Sequence, residues 1–218
     1  MKYLMLLFCL LSFSATAKTI KVAILDTGFD FKYKNRVKLC DSGHADLTKT
    51  SLRDTHGHGT NVAGLISKDL EKIDYCLVII KFYAGSDHPM NGINFLKALK
   101  IVADSKPDIV NISAGGPVFS QIEKTIVHQI LSNGTIMIAA SGNNGINLNK
   151  NCNFYPACYY PEIIVIGNTN KNSNTGKVVD FYVNGNNVAN FGERMTGSSQ
   201  SAAIYTNRKI KELSLGKN

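Results

Sequence analysis

A chain of 218 residues with 44% hydrophobic content is long enough to bury one sizeable core, and a single globular domain is expected. Its formal charge of +8 includes Lys2, and the other basic residues are spread from Lys18 to Lys217 without a dense block. That balance describes a solvated surface, and with no reader of bases, strong internal repeat or long low-complexity linker it gives nucleic-acid binding only weak support, so no nucleic-acid partner is expected.

The chain opens with Lys2, an apolar run over residues 4–13 and the small-x-small pattern Ala15-Thr16-Ala17, which reads as a secretory signal peptide over residues 1–17. The run is too short to span a bilayer comfortably and no second run is long enough, so export without a stable membrane anchor is expected, to a periplasm or the extracellular medium. Cys9 leaves with the leader, because Leu7 and Phe8 stand where a lipoprotein signal carries small residues. Residues 18–218 then form the mature domain. Its four cysteines, Cys40, Cys76, Cys152 and Cys158, allow three disulfide pairings in an exported chain. The short spacing favours Cys152 with Cys158, which leaves Cys40 with Cys76; four buried thiols are the alternative. With no CxxC spacing, zinc fits poorly.

In chain order, residues 20–25 form a short β-rich run that stops at Asp26-Thr27-Gly28, placing an acid at the C-terminal end of a strand. Residues 29–55 are polar and read as connecting loops. His56-Gly57-His58-Gly59-Thr60 then turns into a helix whose apolar face is Val62, Leu65, Ile66 and Leu70. A strand is expected over 77–82, a helix carrying Phe95, Leu96, Leu99, Val102 and Ala103, and, after the Pro107-Asp108 break, a strand over 109–113. Ile122, Ile126 and Ile130 mark a further helix, ended by Asn133-Gly134. Strands follow over 135–140 and 163–167, with a surface loop over 168–176, a short strand near 180–183 and a last helix near Ser199. This alternation predicts an α/β fold, a mostly parallel central sheet with helices on both faces and right-handed crossovers.

Three strand and helix ends carry chemistry. Ser113-Ala114-Gly115-Gly116 leaves a strand with little side-chain bulk, so that an extended peptide could lie against its backbone, and a plain glycine turn is the competing reading. Ser141-Gly142-Asn143-Asn144-Gly145 puts an amide at the same sheet edge. Ser199 opens a helix whose free N–H groups can stabilise negative charge, although a serine there can equally be an N-cap.

Taken together, Asp26-Thr27-Gly28, His58-Gly59-Thr60-Asn61-Val62-Ala63-Gly64, Ala140-Ser141-Gly142-Asn143 and Gly197-Ser198-Ser199-Gln200-Ser201-Ala202 resemble the subtilisin-like serine proteases over residues 21–203, in that family's order of acid, base and nucleophile. The resemblance implies a serine endopeptidase in which Asp26 orients His58, His58 is the base, Ser199 the nucleophile and Asn143 the oxyanion-hole amide. It also implies that Ser113, Ala114 and Gly115 align a protein or peptide substrate, and that Ala140, Ser141, Gly142 and Asn143 form part of the primary specificity pocket. No cofactor or metal is expected, because the acidic calcium loop of many members is not evident; a monomer is expected. Ala203 replaces the family's usual proline and Ser198 its usual threonine. Only nineteen residues follow Ser199, and no inhibitory propeptide separates Ala17 from the first strand, which raises the expectation of an activating or folding partner.

Three rivals are weaker. A catalytically weak peptide-binding version of the same fold accounts for the short C-terminus. An aspartic protease would use the single Asp26-Thr27-Gly28, but needs dimerisation and leaves His58 and Ser199 unexplained. A nucleotide-binding α/β protein lacks a phosphate loop after the first strand.

Overall fold

The computed structural model describes residues 18–85 and 90–216; the expected signal peptide lies outside the described residues. Seven strands form one sheet in the order β2-β3-β1-β4-β5-β6-β7. They are β1 (Ile20–Asp26), β2 (Ala45–Asp46), β3 (Tyr75–Lys81), β4 (Ile109–Ile112), β5 (Ile136–Ala140), β6 (Ile164–Asn168) and β7 (Phe181–Val183), and every paired neighbour is parallel. The expected parallel α/β sheet is therefore present. A short antiparallel hairpin, β8 (Val188–Asn190) and β9 (Glu193–Met195), stands apart.

Because successive side chains on a strand point to opposite faces, β1 feeds two cores at once. Val22 and Ile24 pack with Val62, Ala63 and Ile66 of α1 (His58–Ile66) and Ala202, Ala203 and Ile210 of α4 (Ser198–Ser214). Ala23 and Leu25 pack on the other side with Leu99 and Val102 of α2 (Asn91–Ser105) and Val127 and Ile130 of α3 (Gln121–Ser132). Burial on both faces is why these strands read as unbroken apolar runs.

The topology also fixes where a ligand can sit. From β1 the chain builds β2 and β3 on one side and β4 to β7 on the other, so strand order reverses between β1 and β4. The crevice beyond the carboxyl ends at such a reversal is where open α/β sheets bind ligands. In register, Leu25 lies beside Ile112, so Asp26 and Ser113 leave adjacent strand ends at this point.

Several local expectations need correction. Segment 29–55 contains a 3-10 helix (Phe31–Arg36) and β2, neither of which its polar composition reveals. Segment 168–176 is not simply a surface loop. Ser173 and Asn174 are fully buried, and the Asn174 side chain accepts from the N–H groups of Asn144 and Ile146 while donating to Ser141 C=O. Polar residues there replace backbone pairing inside the protein. Ile122 is exposed although it lies in the expected helical stripe, and Leu70 is buried beyond the end of α1.

Cys40 pairs with Cys76 and Cys152 with Cys158, at Cα separations of 4.9 and 5.6 Å. The first bond anchors the segment after the 3-10 helix to β3, beside the hydrogen bond from Cys40 N–H to Leu77 C=O. The second closes a tight aromatic loop beside the crevice.

Candidate active site

Asp26 ends β1 and is buried; its Oδ1 accepts from His58 Nδ1 at 2.7 Å and from the Thr27 N–H at 2.7 Å. His58 is the first residue of α1, and close approach of this helix start to β1 depends on Gly59. A Cβ there would lie 2.4 Å from Gly28 O and 3.1 Å from Asp26 Oδ1. Burial disfavours the imidazolium, but the charge and hydrogen bond of Asp26, with the charge of Asp54, outweigh it. They hold the His58 pKa above the ordinary 6.5. His56 is a neighbour of the pair, its ring centroid 6.2 Å from that of His58.

Asp54 lies in the polar segment expected to form connecting loops, yet it organises the helix start. Gly57 at the N-cap has no side chain to cap α1. Asp54 does so instead, accepting five hydrogen bonds: from Thr27 Oγ1, the N–H groups of His56, Gly57 and Thr60, and Thr60 Oγ1. Burial pushes its pKa up, and these donors overcome that to hold it below the ordinary 3.8. Lys81, also buried, fixes the preceding turn by donating to the carbonyls of Ser51 (3.0 Å) and Arg53 (2.7 Å).

Replacing Asp54 by alanine is expected to lower stability by about 3 kcal/mol, read from urea unfolding at pH 7, since it strands several buried donors. A depressed folded pKa contributes stability above the unfolded value that is lost as pH falls through the folded one. The wild-type advantage should therefore shrink below about pH 4. A cost under about 0.5 kcal/mol would show that water satisfies the helix start unaided.

Ser199 lies in the first turn of α4 and is 7% exposed. Its Oγ donates to Ser113 C=O at 3.0 Å, and Ser113 Oγ returns a bond to Ser199 C=O at 3.1 Å. Asn111 Nδ2 donates to Ser113 Oγ, and Thr206 Oγ1 to Asn111 Oδ1, so a buried polar chain ties α4 to the end of β4. His58 Nε2 has no hydrogen-bond partner among the described residues. Of the serines in this turn, Ser198 accepts from the Gly142 N–H and Ser201 donates to Val183 C=O, so both hydroxyls hold structure.

The Ser198 N–H donates to Asn143 Oδ1 at 2.8 Å, which fixes the amide and leaves its Nδ2 without a partner among the described residues. Because a helix start leaves its first N–H groups without intrahelical acceptors, the Ser199 N–H is free as well. Two donors thus stand beside Ser199.

A cavity of about 280 Å³ adjoins them, lined by Ser113, Ala114, Gly115, Ala140, Gly142, Asn143, Asn144, Phe154, Ser198 and Ser199. Six of the seven residues expected to align substrate or form its pocket meet there. Ser141 does not line it: fully buried, its hydroxyl contacts Ser173 and Asn174 C=O. On the strand leaving β4, Gly116 exchanges two backbone bonds with Tyr155, at 3.0 and 2.8 Å. Alternation along a strand turns the peptide groups of Gly115 to the opposite edge, where they have no partner among the described residues. Phe154 is absent from the sequence expectation.

An acid–imidazole pair and a helix-start serine thus meet at the switch point of the parallel sheet of an α/β protein. The chain belongs to the Subtilase family, whose sequence model matches residues 17–211. It is 28% identical over 227 residues to the major intracellular serine protease of Bacillus subtilis (strain 168), covering 85% of this chain and 65% of that protein. It is 32% identical over 184 residues to the minor extracellular protease Epr of the same organism, covering 79% of this chain and 28% of that protein. The chain thus spans less than two thirds of either relative. Among solved structures it resembles a cold adapted subtilisin-like serine proteinase, with a TM-score of 0.73 and 21% identity over 91% of this chain and 76% of that one. The protease domain of PatA gives 0.75 and 19%, over 91% and 82%. At these identities the likeness is one of fold.

Proposed function

We propose that this chain is an exported serine endopeptidase that hydrolyses peptide bonds in proteins or peptides through an acyl-enzyme. Ser199 Oγ leaves Ser113 C=O, gives its proton to His58 Nε2 and attacks the substrate carbonyl. Asp26 keeps the proton of neutral His58 on Nδ1 and stabilises the imidazolium. Asn143 Nδ2 and the Ser199 N–H receive the oxyanion, a contribution of about 3 kcal/mol for such an amide. The C–N bond breaks as His58 returns the proton to the leaving amine, and water then hydrolyses the ester by the same route. Gly115 offers its free peptide groups to the substrate backbone. Export is supported by the leader pattern and by two disulfides.

The observation that carries this reading is the 2.7 Å Asp26–His58 contact with Nε2 left free. Its test is intact mass after treatment with a fluorophosphonate, which needs an activated serine and no particular substrate. One adduct is expected, absent from Ser199→Ala. The hydroxyl's bond to Ser113 C=O supports a second reading, a peptide-binding or partner-dependent protein in which Ser199 is not activated. Folded protein that takes no adduct would establish that reading instead.

The rate of labelling should rise with pH through a midpoint above 6.5, because His58 acts only when neutral and its pKa is raised. Stability responds in the opposite sense. The raised pKa makes the pair's contribution complete below the unfolded value of about 6.5 and removes it as pH climbs through the folded value. A labelling midpoint below 6.5 would contradict the coupling to Asp26.

A further inference from the structure

The cleft beside Ser199 is narrower than its two backbone walls would allow, because an aromatic ring already stands between them. A Cβ built on Gly115 would lie 2.4 Å from Phe154 Cε1 and 2.8 Å from its Cζ. One built on Gly142 would lie 2.8 Å from Cε2 and 2.8 Å from Cζ. The outer edge of a single ring therefore touches both the strand leaving β4 and the turn leaving β5, and it lines the cavity that holds Ser199. Phe154 is 9% exposed and belongs to the buried core on the α2 and α3 side, so it is not a side chain lying loosely over the surface.

Its backbone is fixed on both sides. The Cys152–Cys158 bond closes the loop, and Tyr155 is paired with Gly116. Tyr155 in turn stacks on Tyr159 at 4.6 Å between centroids. Displacing the ring would break its packing in the core.

Resting on the endopeptidase reading above, we propose that Phe154 sets specificity by filling the inner part of the primary pocket, so that the residue on the acyl side of the cut is small: alanine, glycine or serine. A methyl group fits at the mouth between Gly115 and Gly142. A leucine or phenylalanine side chain meets the ring.

The test compares hydrolysis of N-acetyl-alanine, N-acetyl-leucine and N-acetyl-phenylalanine p-nitrophenyl esters, with fluorophosphonate labelling as a reference that does not depend on this pocket. Wild type should favour alanine over phenylalanine in kcat/KM by roughly 100-fold, the scale at which pocket size discriminates side chains. Phe154→Ala should raise the phenylalanine rate relative to alanine by at least about 10-fold, with each ester rate taken relative to the variant's own labelling rate. Phe154→Leu, which preserves more of the core packing, should give an intermediate ratio and serves if the alanine variant does not fold. Wild type that labels but hydrolyses the phenylalanine ester as fast as the alanine ester overturns the proposal and leaves the peptidase reading intact. An alanine preference unchanged in labelled Phe154 variants removes Phe154 as its cause. Folded protein that neither labels nor hydrolyses any ester overturns the peptidase reading, and this proposal with it.

Discussion

Ser199→Ala is expected to lower kcat for peptide or ester hydrolysis by about 10⁶-fold, the size of the loss when the nucleophile of subtilisin is removed. His58→Ala should fall to a similar level, and the double variant no further, because nucleophile and base act on one proton and fail as a unit. The structure allows this loss to be separated from unfolding. Ser199 Oγ makes one hydrogen bond, to Ser113 C=O, so its removal costs about 1 kcal/mol. The bond from Ser113 Oγ to Ser199 C=O uses the backbone and survives the substitution. Thermal unfolding should therefore shift by only a few degrees while hydrolysis disappears. Ser198 and Ser201 are the internal controls for position, since both hydroxyls are committed to backbone groups. Residual hydrolysis of even 1% in Ser199→Ala would place the nucleophile elsewhere.

The parallel sheet was legible because strands buried on both faces must be apolar throughout, and the turn residues between them are distinct. The β4 and β5 runs show this, ending within a residue of where composition places them. The order of acid, histidine and serine was legible for a related reason: each stands where a strand or helix run begins or ends, and the sheet brings such ends together. Asp54 and Phe154 were not legible. Asp54 acts through donors that converge only after α1 has docked against the Thr27 turn, and nothing in a polar segment announces that convergence. Phe154 reads as one more aromatic in a loop, and its meaning comes from two glycines distant in sequence whose missing side chains admit its ring. Ser141 was misplaced within its motif by one step of alternation, its side chain turning inward to Ser173 and Asn174 C=O while its neighbours line the cavity.

Asp26→Asn should reduce kcat by roughly 10⁴-fold, as the same change does in a serine-protease triad, with Ser199 and His58 both present. Local geometry explains why an almost isosteric amide fails. His58 Nδ1 and the Thr27 N–H both donate to Oδ1, whereas Oδ2 is buried without a hydrogen-bond partner among the described residues. If the asparagine oxygen takes the Oδ1 place, its NH2 enters a site with no acceptor and the imidazolium loses its counter-charge. If the NH2 takes the Oδ1 place, it opposes the Thr27 N–H and forces the His58 proton onto Nε2, where it can no longer accept from Ser199. Each orientation leaves a buried amide unsatisfied, at about 1–3 kcal/mol in stability. Either way the charge and hydrogen bond that raise the His58 pKa weaken while burial remains. The acid limb of the fluorophosphonate labelling rate should therefore move down in pH even as the plateau collapses. A variant that keeps the wild-type midpoint would show that Asp26 does not set the charge state of His58. One that keeps the wild-type plateau would show that neither tautomer nor counter-charge limits the reaction.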